Sequence, residues 1–160
     1  MPTWWRQLLG LTAFVAACFA VAGVGGCFTS GPVETWYPGL SKPWWTPPDW
    51  LFGPVWTVLY LSMAIAAWLV WRQEGSLRAA RPLSLFAAQL ALNLAWSALF
   101  FGLRSPAAAL ADIALLWCAI LATAISFRRV NLAAGLLLVP YLGWVSFASA
   151  LNLAIWRLNG

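Results

Sequence analysis

The chain has 160 residues, of which 63% are hydrophobic and only 8% charged, and its mean hydropathy is +0.81. A soluble domain of this length needs far more polar surface, so the composition points to a membrane protein. The net charge of +5 is not a nucleic-acid footprint, because no basic run exceeds two residues.

Five weakly charged stretches reach bilayer length, about 17–25 residues each. The first runs from about Leu8 to Phe28, behind Trp4, Trp5 and Arg6. Its end, Val24-Gly25-Gly26-Cys27, loosely resembles a lipoprotein processing site. The run of about 21 residues exceeds a secretory h-region of about 7–15, so it is read as a helix that stays in place. Trp4 and Trp5 suit an interface anchor.

Next comes a loop of unusual chemistry. Between Trp36 and Trp56 lie five of the 13 tryptophans and five of the 10 prolines. Interface aromatics are ordinarily scattered around helix ends, one or two at a time. Indoles packed into a proline-stiffened loop suggest a pre-formed lid or cleft for a flat, apolar, π-rich ligand.

The second span is expected over Trp50 to Trp71, with Thr46 as a cap and Pro47 or Pro48 in its first turn. Gly75 should end it. Pro82 should open the third span, Leu83 to Leu103, and Ser105-Pro106 the fourth, Ala107 to Phe127. Asn131 should cap the fifth, Leu132 to Trp156, where Pro140 removes a backbone hydrogen bond and should kink the helix. Period-two alternation is absent and the connections after the second span are short. The expectation is an all-α bundle of five transmembrane helices, a single domain over residues 1–160.

Orientation follows from the basic residues. Arg6, Arg72, Arg78, Arg81, Arg128 and Arg129 share one side, against Lys42, Arg104 and Arg157 on the other. The positive-inside rule then puts the N-terminus in the cytoplasm and the tryptophan-rich loop and C-terminus across the membrane.

Chemistry is scarce. The chain has no histidine, and Cys18, Cys27 and Cys118 lie singly in apolar spans. This argues against a zinc site, histidine-ligated haem or a nucleophile dyad, and no phosphate loop is present. The cysteines read as small buried hydrophobes. No metal and no resident cofactor are expected.

The polar groups at membrane depth are few. Gln89, Asn93, Trp96 and Phe100 form one stripe of the third span. Two amides in hydrocarbon must find partners, either as interhelical glue or facing a ligand. Asp112 is a costly intramembrane carboxylate that could cap, pair with Arg104, meet interfacial water or serve function. Trp56 and Tyr60 are an i, i+4 pair; Trp144, Ala148 and Leu151 form a stripe on the fifth span. Such stripes usually pack, but the loop above them makes ligand contact the sharper reading. Lys42, the one basic residue of the long loop, could hold it closed or attract a ligand carboxylate.

These residues together resemble a known family. Trp36–Pro48 reads Trp-Tyr-x-x-Leu-x-Lys-Pro-x-Trp-x-Pro-Pro, and Phe52–Tyr60 reads Phe-x-Pro-Val-Trp-Thr-x-Leu-Tyr. Ala87–Trp96, Val139–Trp144 and Leu151–Asn159 follow in order. The set is similar to the translocator protein, or tryptophan-rich sensory protein, family, and it touches nearly the whole chain.

That resemblance implies a five-helix bundle, usually a homodimer in the lipid bilayer, with a cavity beneath the first loop. It implies porphyrins such as protoporphyrin IX, sterols and isoquinoline-type molecules as ligands. The cavity contacts it implies are Trp44, Trp45, Pro47, Pro48, Trp56, Asn93, Trp144, Ala148 and Leu151; Tyr60 and Trp96 join them from the stripes above. In some bacterial relatives the tryptophans matching Trp56 and Trp144 are implicated in light-dependent porphyrin breakdown. The family's sterol motif is broken here, because Leu153 stands where its tyrosine would be, between Leu151 and Arg157. Ala108 likewise stands where some members carry a tryptophan. The leading expectation is a tetrapyrrole-binding sensory or regulatory membrane protein, with a photo-oxidising enzyme and a tetrapyrrole or lipid transporter as alternatives.

Overall fold

A computed structural model describes residues 3–160, with the side chains of 4–73 and 79–160. Among the described residues the regular structure is entirely helical, and five helical segments are long and apolar enough to cross a membrane. They are α1 (Thr3–Thr35), α2 (Phe52–Arg78), α3 (Ala80–Ser97), α4 (Pro106–Val130) and the broken pair α5 (Leu132–Leu136) and α6 (Val139–Asn159). A π turn, Ala98–Gly102, extends α3, its wider pitch made by Leu103 N–H donating to the Ala98 carbonyl at 2.8 Å.

The spans fall where hydropathy puts them, but several ends differ. At 33 residues α1 is about 50 Å long, against a hydrocarbon core of about 30 Å, so it projects beyond the membrane toward the loop. Thr46 does not cap α2. Its hydroxyl donates to the Pro43 carbonyl at 2.7 Å, making a loop turn, and the helix begins later through a 3-10 turn over Asp49–Leu51. Pro48 holds extended backbone ahead of it, and Thr46 and Pro47, each followed by a proline, are disfavoured in the helical region.

Gly75 does not end α2, which continues to Arg78. A glycine inside a helix costs only about 1 kcal/mol, which the neighbouring turns outweigh. Pro82 lies in the first turn of α3 as expected. Ser105 caps α4, accepting from Ala108 N–H at 3.4 Å, and Asn131 caps α5, accepting from Ala134 N–H at 3.0 Å. Pro140 does more than kink the last span: the helix breaks at Leu137–Leu138 and restarts with the proline in its first turn, where a missing N–H costs nothing.

Packing builds a tight half and a loose half. At the N-terminal end of α1, Gly10 lies so close to Trp71 that a Cβ there would clash with the indole. Trp68 Nε1 donates to the Gln7 carbonyl at 3.1 Å, tying the same two helices. Met63, Leu116, Ile120 and Tyr141 fill the centre, and Phe86 stacks on Phe127 with centroids 5.9 Å apart. Toward the loop α1 leans instead on α3, with Gly25 against Ser97 and Phe28 against Gly102. The helices there enclose a space.

Candidate functional site

A cavity of about 600 Å³ occupies that end of the bundle, beneath the loop. The second span brings Phe52, Trp56 and Tyr60 to it, because residues four apart stack on one helix face. The third brings Asn93 and Trp96 on the same principle, and the π turn adds Phe100 and Phe101 as neighbours. The adjacent pair is a product of the wider pitch, which lets two consecutive rings face inward. α6 contributes Trp144, Phe147, Ala148 and Leu151.

The rings are set by each other. Trp96 stacks on Phe100 at 5.2 Å, Phe52 meets Trp144 edge-on at 5.8 Å, and Trp56 meets Tyr141 edge-on at 6.1 Å. Edge-to-face and offset pairs of this kind are each worth about 0.5–1.5 kcal/mol beyond their burial. They hold the indoles in place without a ligand.

Four helices, α2, α3, α4 and α6, are also joined by polar bonds at membrane depth. Tyr60 donates its hydroxyl proton to Asn93 Oδ1 at 2.5 Å, and Asn93 Nδ2 donates to the Tyr141 hydroxyl at 2.9 Å. Trp96 Nε1 donates to Asn152 Oδ1 at 3.0 Å, and Asn152 Nδ2 donates to the Pro106 carbonyl at 2.8 Å. Asn93 therefore lines the cavity while its amide is used as interhelical glue. Gln89, one turn away, lies outside the cavity; its Nε2 reaches Met63 Sδ at 3.7 Å and its Oε1 has no partner among the described residues. Asp112 is buried, its Oδ2 likewise has no hydrogen-bond partner there, and no ion pair with Arg104 is found among the described residues.

The loop closes the top by packing. Tyr37 is buried against Phe100 and Phe101, and Trp36 meets Phe100 edge-on at 5.7 Å. Burial, with a smaller contribution from the Asp49 charge, pushes the Tyr37 phenol up to about 12, so it stays neutral at ordinary pH. Lys42 Nζ donates to the Tyr37 carbonyl at 3.1 Å and sits 4.3 Å from the centre of the Tyr37 ring.

Of the residues singled out from sequence, Trp56, Tyr60, Asn93, Trp96, Trp144, Ala148 and Leu151 come together on the cavity wall. Trp44, Trp45, Pro47, Pro48 and Lys42 do not. Trp44 is 95% exposed and turned outward. Trp45 meets Phe147 edge-on at 5.7 Å, behind the wall. The two prolines shape the chain into α2. The sequence reading missed Phe52, Phe147 and Asn152, and above all the face of α1 from Phe19 to Val33. The one signal there was the run of glycines Gly23, Gly25 and Gly26, small residues that let a space approach a helix backbone.

Fold and site define a multi-pass membrane protein whose helices enclose an aromatic cavity under a tryptophan- and proline-rich loop. The family model described as TspO/MBR family matches residues 14–157. The chain belongs to the TspO/MBR family. It is 49% identical to the tryptophan-rich protein TspO of Chlorobaculum tepidum, over 96% of this chain and 98% of that one. It is 42% identical to the translocator protein of Homo sapiens, over 97% and 91%, and 43% identical to the tryptophan-rich sensory protein of Cereibacter sphaeroides, over 91% and 89%.

Proposed function

We propose that this cavity binds a tetrapyrrole, and that the protein acts as a sensory or regulatory membrane receptor for it, in keeping with the names of its relatives. One observation carries the reading: the cavity of about 600 Å³ is walled by the rings of Trp56, Trp96 and Trp144 together with phenylalanines. A flat macrocycle gains apolar burial at about 25 cal/mol per Å² and π contact there, with no axial ligand needed. The same reading takes the N-terminus as cytoplasmic and the protein as a homodimer in the bilayer. Sterols and isoquinoline-type molecules are further apolar candidates for the same space.

Because the binding rests on stacking, it requires no iron. Metal-free protoporphyrin IX and haem are expected to bind with similar strength. The test is titration of the purified protein with protoporphyrin IX, followed by tryptophan fluorescence. Saturable quenching is expected, weakened in the Trp56→Ala, Trp144→Ala double variant while helical circular dichroism is unchanged. Absence of saturable quenching in the unaltered protein would overturn the reading. Illumination of the complex, with product spectra followed in time, separates a binder from a photo-oxidising enzyme.

A further inference from the structure

Among the described residues, the cavity wall is open on one side only. Every cavity-lining residue that is itself exposed lies on α1 or at the start of the second span: Phe19, Gly23 and Gly26 on the one, Asp49, Gly53 and Thr57 on the other. The lining residues of α3 and α6 are all buried or half-buried. Tight packing of Gly10 on Trp71 holds α1 and α2 together at the far end, whereas a Cβ added at Gly23, Gly26 or Gly53 meets nothing within 4 Å. The two helices thus form a V. Its inner end is closed where Phe19 approaches Tyr60, with centroids 6.4 Å apart, and its mouth is edged by glycines.

The height of this slot is set by Trp50, which is 72% exposed and lies one turn before Gly53. Such an indole anchors at the headgroup level. The mouth therefore faces hydrocarbon in the leaflet on the loop side, with the Asp49 carboxylate near the headgroups. The aqueous route above is fastened. Ser41 N–H donates to Asn159 Oδ1 and Asn159 Nδ2 donates to the Ser41 carbonyl, both at 2.9 Å, and Lys42 is tied to Tyr37.

We propose that the cavity exchanges its ligand sideways with the bilayer, through the slot between α1 and α2, and not through the loop with water. The ligand class that this geometry admits is a flat amphiphile dissolved in the membrane, passing edge-on between Gly26 and Gly53 with its polar rim at the headgroups. A ring passes between two helices only where no side chains project, which is what glycine supplies. The inference rests on reading the cavity as a ligand site and adds the route to it.

The test uses the full chain in phosphatidylcholine vesicles with Gly26→Phe and Gly53→Phe. A Cβ added at either position meets nothing within 4 Å, and both positions have ordinary helical backbone, so neither substitution strains the chain at its point of attachment. With protoporphyrin IX as probe, tryptophan quenching and its reversal are expected to slow on the order of tenfold in both variants, association and dissociation together. Unaltered rates in both variants, or faster association in Asn159→Ala alone, overturn the route and assign it to the loop.

A second measurement does not depend on porphyrin. In vesicles of dibrominated phosphatidylcholine, the quenching that belongs to Trp56, obtained by difference with Trp56→Phe, is expected in the unaltered protein and lost in Gly26→Phe. No quenching of Trp56 by the brominated chains overturns the slot. Trp56 quenching without saturable porphyrin binding keeps the slot and sinks only the tetrapyrrole reading.

Discussion

Asn159 and Ser41 exchange two hydrogen bonds of 2.9 Å each, the amide of one closing on the backbone of the other. They lie 118 positions apart in the chain and join the last turn of α6 to the middle of the tryptophan-rich loop. A loop of Trp, Pro and Gly makes few backbone hydrogen bonds of its own, so this clamp sets its register over the cavity. Asn159 Nδ2 also donates to the Ile155 carbonyl at 2.8 Å, which fixes the orientation of the amide toward the loop.

Asn159→Ala removes both clamp bonds. Each exposed bond contributes about 0.5–1.5 kcal/mol at most. Hydrogen exchange at the Ser41 amide is expected to rise by at least an order of magnitude, corresponding to about 1.4 kcal/mol of lost protection, while the melting of the helices moves little. Unchanged exchange at Ser41 would mean that ring packing alone holds the loop.

The Tyr60–Asn93–Tyr141 relay predicts an asymmetry between two substitutions. Asn93→Leu strands two buried hydroxyls at once, each at a cost of about 1–3 kcal/mol. Tyr60→Phe strands only Asn93 Oδ1 and should cost about half as much. Thermal unfolding in detergent checks the order. Equal losses would show that water enters the cavity to serve the orphaned groups.

Lys42 and Asp49 separate loop structure from ligand charge. Lys42 is engaged with Tyr37 and lies off the cavity wall, so Lys42→Ala should weaken charged and uncharged aromatic ligands by a similar factor. Asp49 is the one charged side chain among the described residues of the wall. Asp49→Asn should therefore favour an anionic porphyrin, by at most about 1 kcal/mol or fivefold for an exposed charge, and leave a neutral ligand alone. A selective loss of porphyrin in Lys42→Ala would instead assign the ligand carboxylate to Lys42.

Gly135 lies inside α5, folded back on the last turn of α4, where a Cβ would lie 2.6 Å from Arg128 Cβ and 2.8 Å from its Cα. Backbone cannot step aside as a flexible side chain can. Gly135→Ala should destabilise by about 1–3 kcal/mol, the range for overpacking. Gly26→Ala, facing open space, should not destabilise at all. Comparison of the two melting temperatures tests both.

The chain by itself determined its class, its five spans and most helix starts. Hydrocarbon demands long apolar runs, and a cap needs only its own neighbours, so Ser105 and Asn131 were legible from a few residues each. The stripe logic also named Trp56, Tyr60, Asn93, Trp96, Trp144, Ala148 and Leu151, because i, i+4 spacing fixes a shared helix face. Tertiary structure alone decided which faces meet. It turned Trp44 outward and set Trp45 behind the wall, since a loop side chain has no periodic constraint on its direction. It took Thr46 into a loop turn, where the Pro43 carbonyl was nearer than any helix end. It also brought α1 into the site. The packing of Gly10 on Trp71 at one end and of Gly25 on Ser97 at the other tilts that helix, and a tilt is a property of two surfaces in contact that no single segment encodes.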